Sequence, residues 1–492
     1  LIKEEKAMGQ KITIDPVTRV EGHGKVTIHL DNDGNIEQTR LHIVEFRGFE
    51  RFIQGRPYWE APVLVQRLCG ICPVSHHLAA AKAMDVIVGA GTGEGLTPTG
   101  EKMRRLMHYG QIFQSHSLHF FHLASPDLLF GVYGDPLKRN IIGIAFENKD
   151  LAVQGVMMRK YGQEVIKATA GKKIHGTGAI PGGINKHLSI EDKEYLLNGL
   201  DPSMNIHKMI DWSLAALDFF HDYHAKNKDL IDNFSVFPSS SMSIVRKDGA
   251  LDLYHGVLRA VSSEGKKILH DVNYQDYDRY IDEEVRTWSY MKFPYLKEIG
   301  KKNGWYTVGP LARMNTAEFI DTPLAQKEFL KFKAYTKGKP NNMSMHMHWA
   351  RLIEILHSAE MIKILLNDPD VLEGELVKKG QKQLEGVGVV EAPRGTLFHY
   401  YRINENDQIV MANLIVSTTN NNQPMNEAVN YVANKVMKGK SQITEGMMNA
   451  VEVAIRAYDP CLSCATHALG QMPLEISLYD ANNKLIDLKR SF

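Results

Sequence analysis

The chain is sparing with cysteine, evenly charged and without long apolar runs, and each shortage narrows what it can be. Four cysteines in 492 residues are too few for the dense disulfide framework of small secreted domains, and they suit a reducing compartment. Lys and Arg total 58 against 57 for Asp and Glu, so no net field of one sign draws the chain to nucleic acid or to an anionic membrane. No uninterrupted apolar stretch approaches the ~20 residues of a membrane-spanning helix, and the N-terminus has no basic-then-apolar signal pattern. We expect a cytoplasmic protein without a membrane span, whose partners recognise particular sites. Internal repeats, low-complexity tracts and Ser/Gly linkers are also missing.

What remains is an ordinary globular composition, 43% hydrophobic and 23% charged, long enough for a large core in two or three packed subdomains. Alternating apolar residues at Lys11–Ile14, Lys25–Leu30 and Thr39–Phe46, around the turn Asp31-Asn32-Asp33-Gly34-Asn35, predict a small antiparallel sheet. Helical periodicity dominates from Ala61 to Lys378, as in Gly100–Leu123, Pro323–Tyr335 and Met345–Leu366. A second small sheet is expected at Gly386–Val390, Leu397–Ile403 and Ile409–Thr419, with a hairpin turn at Asn404–Asp407. Gly446–Tyr458 reads as an amphipathic helix stopped by Pro460. The expected fold class is mainly α with small β-sheets (α+β). Four segments are expected: a sheet over 8–60, a helical body over 61–385, a hairpin region and last helix over 386–467, and an extension over 468–492.

The four cysteines fall into two Cys-x-x-Cys pairs, Cys69/Cys72 and Cys461/Cys464. Two thiolates three residues apart can grip one soft metal, with Gly70 expected to let the backbone turn close to it. Each pair is followed by a histidine, in Arg67-Leu-Cys-Gly-Ile-Cys-Pro-Val-Ser-His76 and Asp459-Pro-Cys-Leu-Ser-Cys-Ala-Thr-His467. A zinc ribbon separates its pairs by tens of residues, whereas 388 residues, 73 to 460, lie between these. Nor does a compact βαβ context of the thioredoxin kind surround either pair. A structural zinc site and a pair of redox dithiols stay open as alternatives on spacing alone.

The motifs R-x-C-G-x-C-x-x-x-H and D-P-C-x-x-C-x-x-H resemble the paired signatures of nickel–iron hydrogenase large subunits. The likeness continues through Asp15-Pro-Val-Thr-Arg-Val-Glu-Gly-His23, Phe46-Arg-Gly-Phe-Glu50, Ala392-Pro-Arg-Gly-Thr396 and the Leu414–Thr419 strand. It is strongest toward cytoplasmic, bidirectional NAD-linked enzymes, especially in Tyr458–Leu474. The respiratory-complex relative of this fold has lost these thiols.

This resemblance implies a multihelical large-subunit fold and a reaction, the reversible heterolysis of H2. Cys69 and Cys461 would be terminal nickel thiolates, with Cys72 and Cys464 bridging nickel to an iron that carries CO and cyanide. His76, Arg394 and Thr418 would line the cofactor, Arg394 over the open metal positions and Thr418 donating to a cyanide. H2 is a very weak acid, so its cleavage needs a base beside the metal. A Cys461 or Cys464 thiolate fits that role better than the Arg394 guanidinium, which is protonated at any ordinary pH. Glu21 would relay the proton outward. Glu50, the carbonyl of Leu414 and the side chain of His467 would hold magnesium. Ser115 and Ser417 stand where respiratory members carry Asp and Pro.

No stretch could bind flavin, NAD or an iron–sulfur cluster, so the resemblance implies two partners, an iron–sulfur small subunit and, beyond it, a flavin- and NAD-binding diaphorase module. Nickel-insertion factors are implied too, with an endopeptidase that cuts His467–Ala468 and releases 25 residues. An uncut tail is expected to hold Cys461 and Cys464 away from Cys69 and Cys72. Ferredoxin or a deazaflavin is the alternative acceptor, and a non-catalytic, metal-bound electron-transfer scaffold the alternative class. The glycine run Val86–Glu94 fits no G-x-G-x-x-G register. His116, His119, His122, His346 and His348 lack an acidic or Cys partner at ligand spacing and read as core or interface histidines.

Overall fold

The computed structural model of the chain describes residues 11–31, 33–91, 95–199, 203–440 and 442–466, together with the backbone of two strands in the tail. Residues 8–10 of the first expected segment lie outside the described residues, as do 92–94 of the glycine run and His467. Strands Lys11–Ile14, Gly24–Leu30 and Ile36–Ile43 form an antiparallel sheet in that order. Its turn follows from Asp31, whose carboxylate accepts the backbone N–H of Asp33 and Asn35 at 2.9 and 2.8 Å. The sheet packs on the Asn422–Met437 helix, where Asn426 accepts Leu41 N at 2.8 Å.

The helical body is built on Pro73–Ile87, Pro98–Leu118, Lys149–Ala170, Ile206–Lys226 and His346–Leu366. Side-chain caps start several of them: Thr97 accepts from Gly100 N, Asn148 from Leu151 N and Asn205 from Lys208 N. His346–Leu366 is buried almost all round, which makes it the central helix of the body. Val86 and Ile87 end a helix, so the glycine run follows no strand. A π-helical turn, His119–Ala124, continues Pro98–Leu118.

The body is less purely helical than its periodicity predicts. Ser240–Val245, Val257–Val261, Lys267–Val272 and Tyr306–Thr307 form a four-stranded sheet inside the 61–385 segment. The Ser240–Val245 and Val257–Val261 strands are buried on both faces, which removes the period-two alternation by which a half-exposed strand is recognised.

The second expected sheet is present as Glu385–Ala392, Gly395–Ile403 and Ile409–Ile415. Ala392 pairs with Gly395, so Pro393 and Arg394 are the two residues at a hairpin tip. The third strand stops at Ile415, short of the expected Thr419, and Ser417–Asn420 is a helical turn. Side chains draw this segment out of the ladder, with Ser417 Oγ donating to Gly395 O and Asn420 Nδ2 to Thr396 O. The last helix, Glu445–Arg456, leads to the second cysteine pair. Beyond it, Leu474–Tyr479 and Leu485–Ser491 pair as a separate antiparallel hairpin.

Among the described residues the largest hydrophobic cluster packs most of the helices together, and all four cysteines belong to it. Among the described residues no helix is long and apolar enough to cross a membrane. The helix after the first cysteine pair is tied to Pro98–Leu118 by a buried ion pair, in which Arg104 grips both oxygens of Asp85 at 2.6 and 3.0 Å. Asp85 also accepts Gly182 N at 2.8 Å. Asp85→Ala leaves Arg104 charged and unpaired in the core and should cost about 3–5 kcal/mol; a denaturation midpoint within error of the parent chain would refute this role.

Candidate metal centre

Two loops carry the sulfurs. In the first, Cys69 follows a short helical turn and Cys72 caps the Pro73–Ile87 helix. Cys69 Sγ accepts the backbone N–H of Ile71 and Cys72 at 3.2 and 3.1 Å, which folds the loop around the sulfur. Gly70 is exposed, outside the left-handed region, and a Cβ there would meet nothing within 4 Å. The expected need for glycine at that position is therefore not observed. Gly22 is the glycine that matters: its φ is +81° and a Cβ would come within 2.5 Å of Ser463 N.

That contact reflects an interlocking of the chain's two ends. Glu21 bridges to Cys461, with Leu462 N donating to Glu21 O at 2.9 Å. Thr418 Oγ1 accepts Cys461 N at 2.9 Å, and Thr419 Oγ1 donates to Ala465 O at 3.2 Å. Arg47 closes the other side, donating through its backbone to Thr466 O and through its guanidinium to Leu68 O.

The result is a single buried cluster in which the four cysteine Sγ atoms lie within 4.8 Å of one another. Cys69 faces Cys461 at 3.4 Å, Cys72 faces Cys464 at 3.9 Å, and Cys461 and Cys464 are 2.7 Å apart. The last distance is well beyond the about 2.05 Å of a disulfide, and none of the four cysteines is disulfide-bonded. Two separate redox dithiols are excluded by this convergence; a soft-metal site fits it. The cysteines also meet with the tail attached, contrary to the expectation of displacement, because Thr466 is already pinned before the tail departs.

Arg394 reaches the cluster from its hairpin tip. Its Nε donates to Asp459 O at 2.5 Å and Nη2 to Asp459 Oδ1 at 3.0 Å, with Ser115 Oγ at 3.5 Å from Nη1. Burial would lower this guanidinium's pKa, but Asp459 and the cysteines hold it well above the usual range. Burial raises Cys461 and Cys464 well above ordinary thiols. At Cys69 burial acts the same way, yet contacts from the other sulfurs and the Arg394 charge bring its thiol well below.

Thr418 and His76 line the same cavity, with Arg394 and Cys72, Cys461 and Cys464. His76 Nδ1 lies 3.2 Å from His399 Nε2, and burial pushes its pKa down to about 4, so it is neutral. The cavity is about 10 Å³, at the lower edge of the ~10–15 Å³ that one water needs. No organic substrate fits it.

Glu21 Oε2 lies 2.9 Å from Cys461 Sγ, while Ser463 Oγ donates to its other oxygen. Glu50 Oε1 accepts Leu414 N at 2.8 Å, bringing two of the three expected magnesium-site residues together. Sequence reasoning missed Ser463, although it stands between the two cysteines, and gave Asp459 no role. It also missed the partners of two histidines: His116 Nε2 lies 2.8 Å from Glu354, and His346 lies 3.1 Å from Asp232, which also holds His224. The convergence of His224, Asp232 and His346 is a hydrogen-bond cluster. Asn341 Oδ1 takes Met343 N, so its amide donates to His346 Nδ1 and leaves the imidazole proton on Nε2, facing Asp232.

Comparison with known proteins settles the family. The description "Nickel-dependent hydrogenase" matches residues 47–130 and 252–467, and "HoxL-like" matches residues 11–46. The chain belongs to the nickel-dependent hydrogenase family. It is 53% identical over 485 residues to the NAD-reducing hydrogenase HoxS subunit beta of Cupriavidus necator, covering 98% of this chain and 99% of that protein. An NAD+-reducing nickel–iron hydrogenase solved in the H2-reduced state superposes with a TM-score of 0.89 at 50% identity, covering 94% of this chain and all of that one. A nickel–iron–selenium hydrogenase of Desulfovibrio vulgaris, 23% identical with a TM-score of 0.73 and covering 93% of this chain and all of that one, shares the fold.

The chain is thus the catalytic large subunit of a nickel–iron hydrogenase, and its four cysteines are placed for the metal pair. Removing one sulfur should dismantle the cluster, since the remaining three cannot hold both metals. Cys464→Ala is expected to lower nickel and iron below about half of the parent content; full retention of both by elemental analysis would overturn the assignment.

Proposed function

We propose that this large subunit cleaves H2 in an NAD-linked complex, with Cys461 and Glu21 carrying the proton out of the core. The observation that carries the proposal is the 2.9 Å contact between Cys461 Sγ and Glu21 Oε2. Cys69 and Cys461 would hold nickel alone and Cys72 and Cys464 would hold both nickel and iron, in keeping with the facing of Cys69 with Cys461 and of Cys72 with Cys464. When bound, the metals supply the electron-pair acceptor that H2 cleavage requires.

The rest of the chemistry falls to the chain's own groups. Cys461 accepts one proton of H2, and Glu21 takes it from the sulfur and passes it to the partly exposed side of its loop. Ser463 keeps Glu21 turned toward the sulfur by donating to the oxygen that does not face it. Arg394 stays protonated and supports negative charge above the thiols, as donors aimed into a dry site do. Thr418, whose oxygen already accepts Cys461 N, would have its own proton to donate to a cyanide if the iron bound here carries cyanide and CO. His76 is a neutral wall residue. Glu50, the Leu414 carbonyl and His467 are proposed to hold magnesium.

The four segments divide these tasks. We assign the proton relay to 8–60, the first thiol pair to 61–385 and the second to 386–467. Residues 468–492 are an extension removed by a maturation endopeptidase after nickel-insertion factors have acted. In support, the tail hairpin forms a sheet of its own. The NAD linkage rests on the 53% identity to a subunit of an NAD-reducing enzyme, and a diaphorase module and a cytoplasmic location belong to the same proposal. Glu21→Gln keeps the shape of the relay and removes its acid. H/D exchange from H2 is expected to fall at least about a hundredfold with metals retained; unchanged exchange would sink the relay.

Electrons leave through an iron–sulfur small subunit, which we place on the groove beside Arg19. The groove has a volume of about 1120 Å³ and begins two residues from Glu21, with Arg19, Lys149, Arg159 and Lys160 among apolar walls. On its flank Ile142, Phe146 and Val156 are 64%, 85% and 54% exposed, an apolar surface that calls for a partner. Phe146→Asp should weaken association about tenfold or more; if the small subunit still co-purified undiminished from dilute solution, the interface would lie elsewhere.

A further inference from the structure

Behind the metal centre lies a set of buried charges that the chemistry above leaves unused. Arg313, on the Pro310–Thr316 helix, is fully buried. Its Nε and Nη2 each donate to an oxygen of Glu354 at 2.6 Å, and Nη1 donates to Glu391 at 2.9 Å. The remaining donors go to backbone: Nη1 reaches Ala392 O at 3.0 Å and Nη2 reaches Pro393 O at 3.2 Å. These two carbonyls immediately precede Arg394 at the hairpin tip.

Both anionic partners are themselves fixed. Glu391 accepts Ile244 N and Thr396 Oγ1, each at 2.8 Å. Glu354 accepts His116 Nε2 at 2.8 Å, and His116 follows Ser115, the residue at 3.5 Å from the Arg394 guanidinium. The tip is crowded from the other side, since a Cβ on Gly309 would meet Arg394 O at 3.0 Å. Counting Arg351, which donates to Ala457 O, three arginines (313, 351, 394) balance three carboxylates (Glu354, Glu391, Asp459), all buried.

A hairpin tip has no ladder partner of its own, so beside the guanidinium's own bonds to Asp459 and the Asn421 amide on Arg394 O at 3.4 Å, the height of Arg394 above the thiols depends on what grips the two preceding carbonyls. We propose that Arg313 is a positioning residue for Arg394, clamping the Ala392–Pro393 backbone between Glu354 and Glu391 so that the guanidinium is held over the metal centre. The proposal rests on the role given to Arg394 above. A guanidinium is required because a single site must serve four separate acceptors in fixed directions, which a lysine ammonium with three donors on a flexible stem cannot do.

The test is a double-mutant cycle in the purified complex with Arg313→Lys, Arg394→Lys and the pair, reading nickel and iron per chain, melting temperature, and kcat and KM for H2. Arg313→Lys is expected to retain both metals and to lower kcat about tenfold to a hundredfold, the cost of a misplaced group. In the Arg394→Lys background the same change should lower kcat less than about twofold, because the group it positions is already gone. Equal losses in both backgrounds, or no loss in the parent, overturn the proposal. Unchanged kcat in Arg394→Lys alone overturns the reading of Arg394 and the proposal with it. Should Arg313→Lys fail to load metal, Glu391→Gln serves in the same cycle, since it removes the acceptor of Arg313 Nη1 and keeps an oxygen for Ile244 N; the same non-additivity is expected, and additive losses overturn the proposal.

Discussion

Four sulfur atoms from loops 392 positions apart in the chain meet inside one hydrophobic core, and the rest of the molecule is arranged around that meeting. Bringing two such distant loops to one point restricts both of them, and they are braced from outside the sulfurs. The bracing is backbone to a large degree, Glu21 against Leu462 and Arg47 against Thr466, with the Thr418 hydroxyl adding a side-chain acceptor for Cys461 N. Backbone donors and acceptors cannot rotate away as side chains do, and this gives the cluster a fixed frame.

Much of this was legible in the sequence because the informative signals are local. A Cys-x-x-Cys pair, a Pro after a helix and an Asp-rich turn each act over a few residues, so the cysteine loops, the first sheet and the last helix lie near where pattern reading puts them. Signals that depend on distant chain were lost. The four-stranded sheet is covered on both faces and shows no alternation. The extension of the third strand to Thr419 failed because Ser417 and Asn420 bond across to Gly395 and Thr396, partners that spacing does not reveal. Glu354 as the mate of His116, and Asp232 as the mate of His346, come from segments far along the chain. Gly70 shows the reverse error: a residue inside a motif was credited with a steric role that belongs to Gly22, in the opposite loop.

The electrostatics of the centre follow from its dryness. With almost no room for water, the thiols and Arg394 interact at low effective dielectric, and each charge is felt strongly by its neighbours. That is why Arg394 stays protonated although burial opposes it, and why the buried arginines and carboxylates near it come in equal number. An unbalanced charge there would be expensive, so substitutions in this shell are best read in pairs.

The distance along the chain between the two cysteine loops also has a consequence in time. At roughly 5–20 residues per second of synthesis, Cys461 leaves the ribosome on the order of 20–80 seconds after Cys69. Throughout that interval the first thiol pair has no partner loop, and its helix has no completed core to bury it. A truncated chain, or one stalled before its last helix, can never assemble the centre. Completion of the metal site is therefore a readout of full-length synthesis, written into the order in which the residues appear.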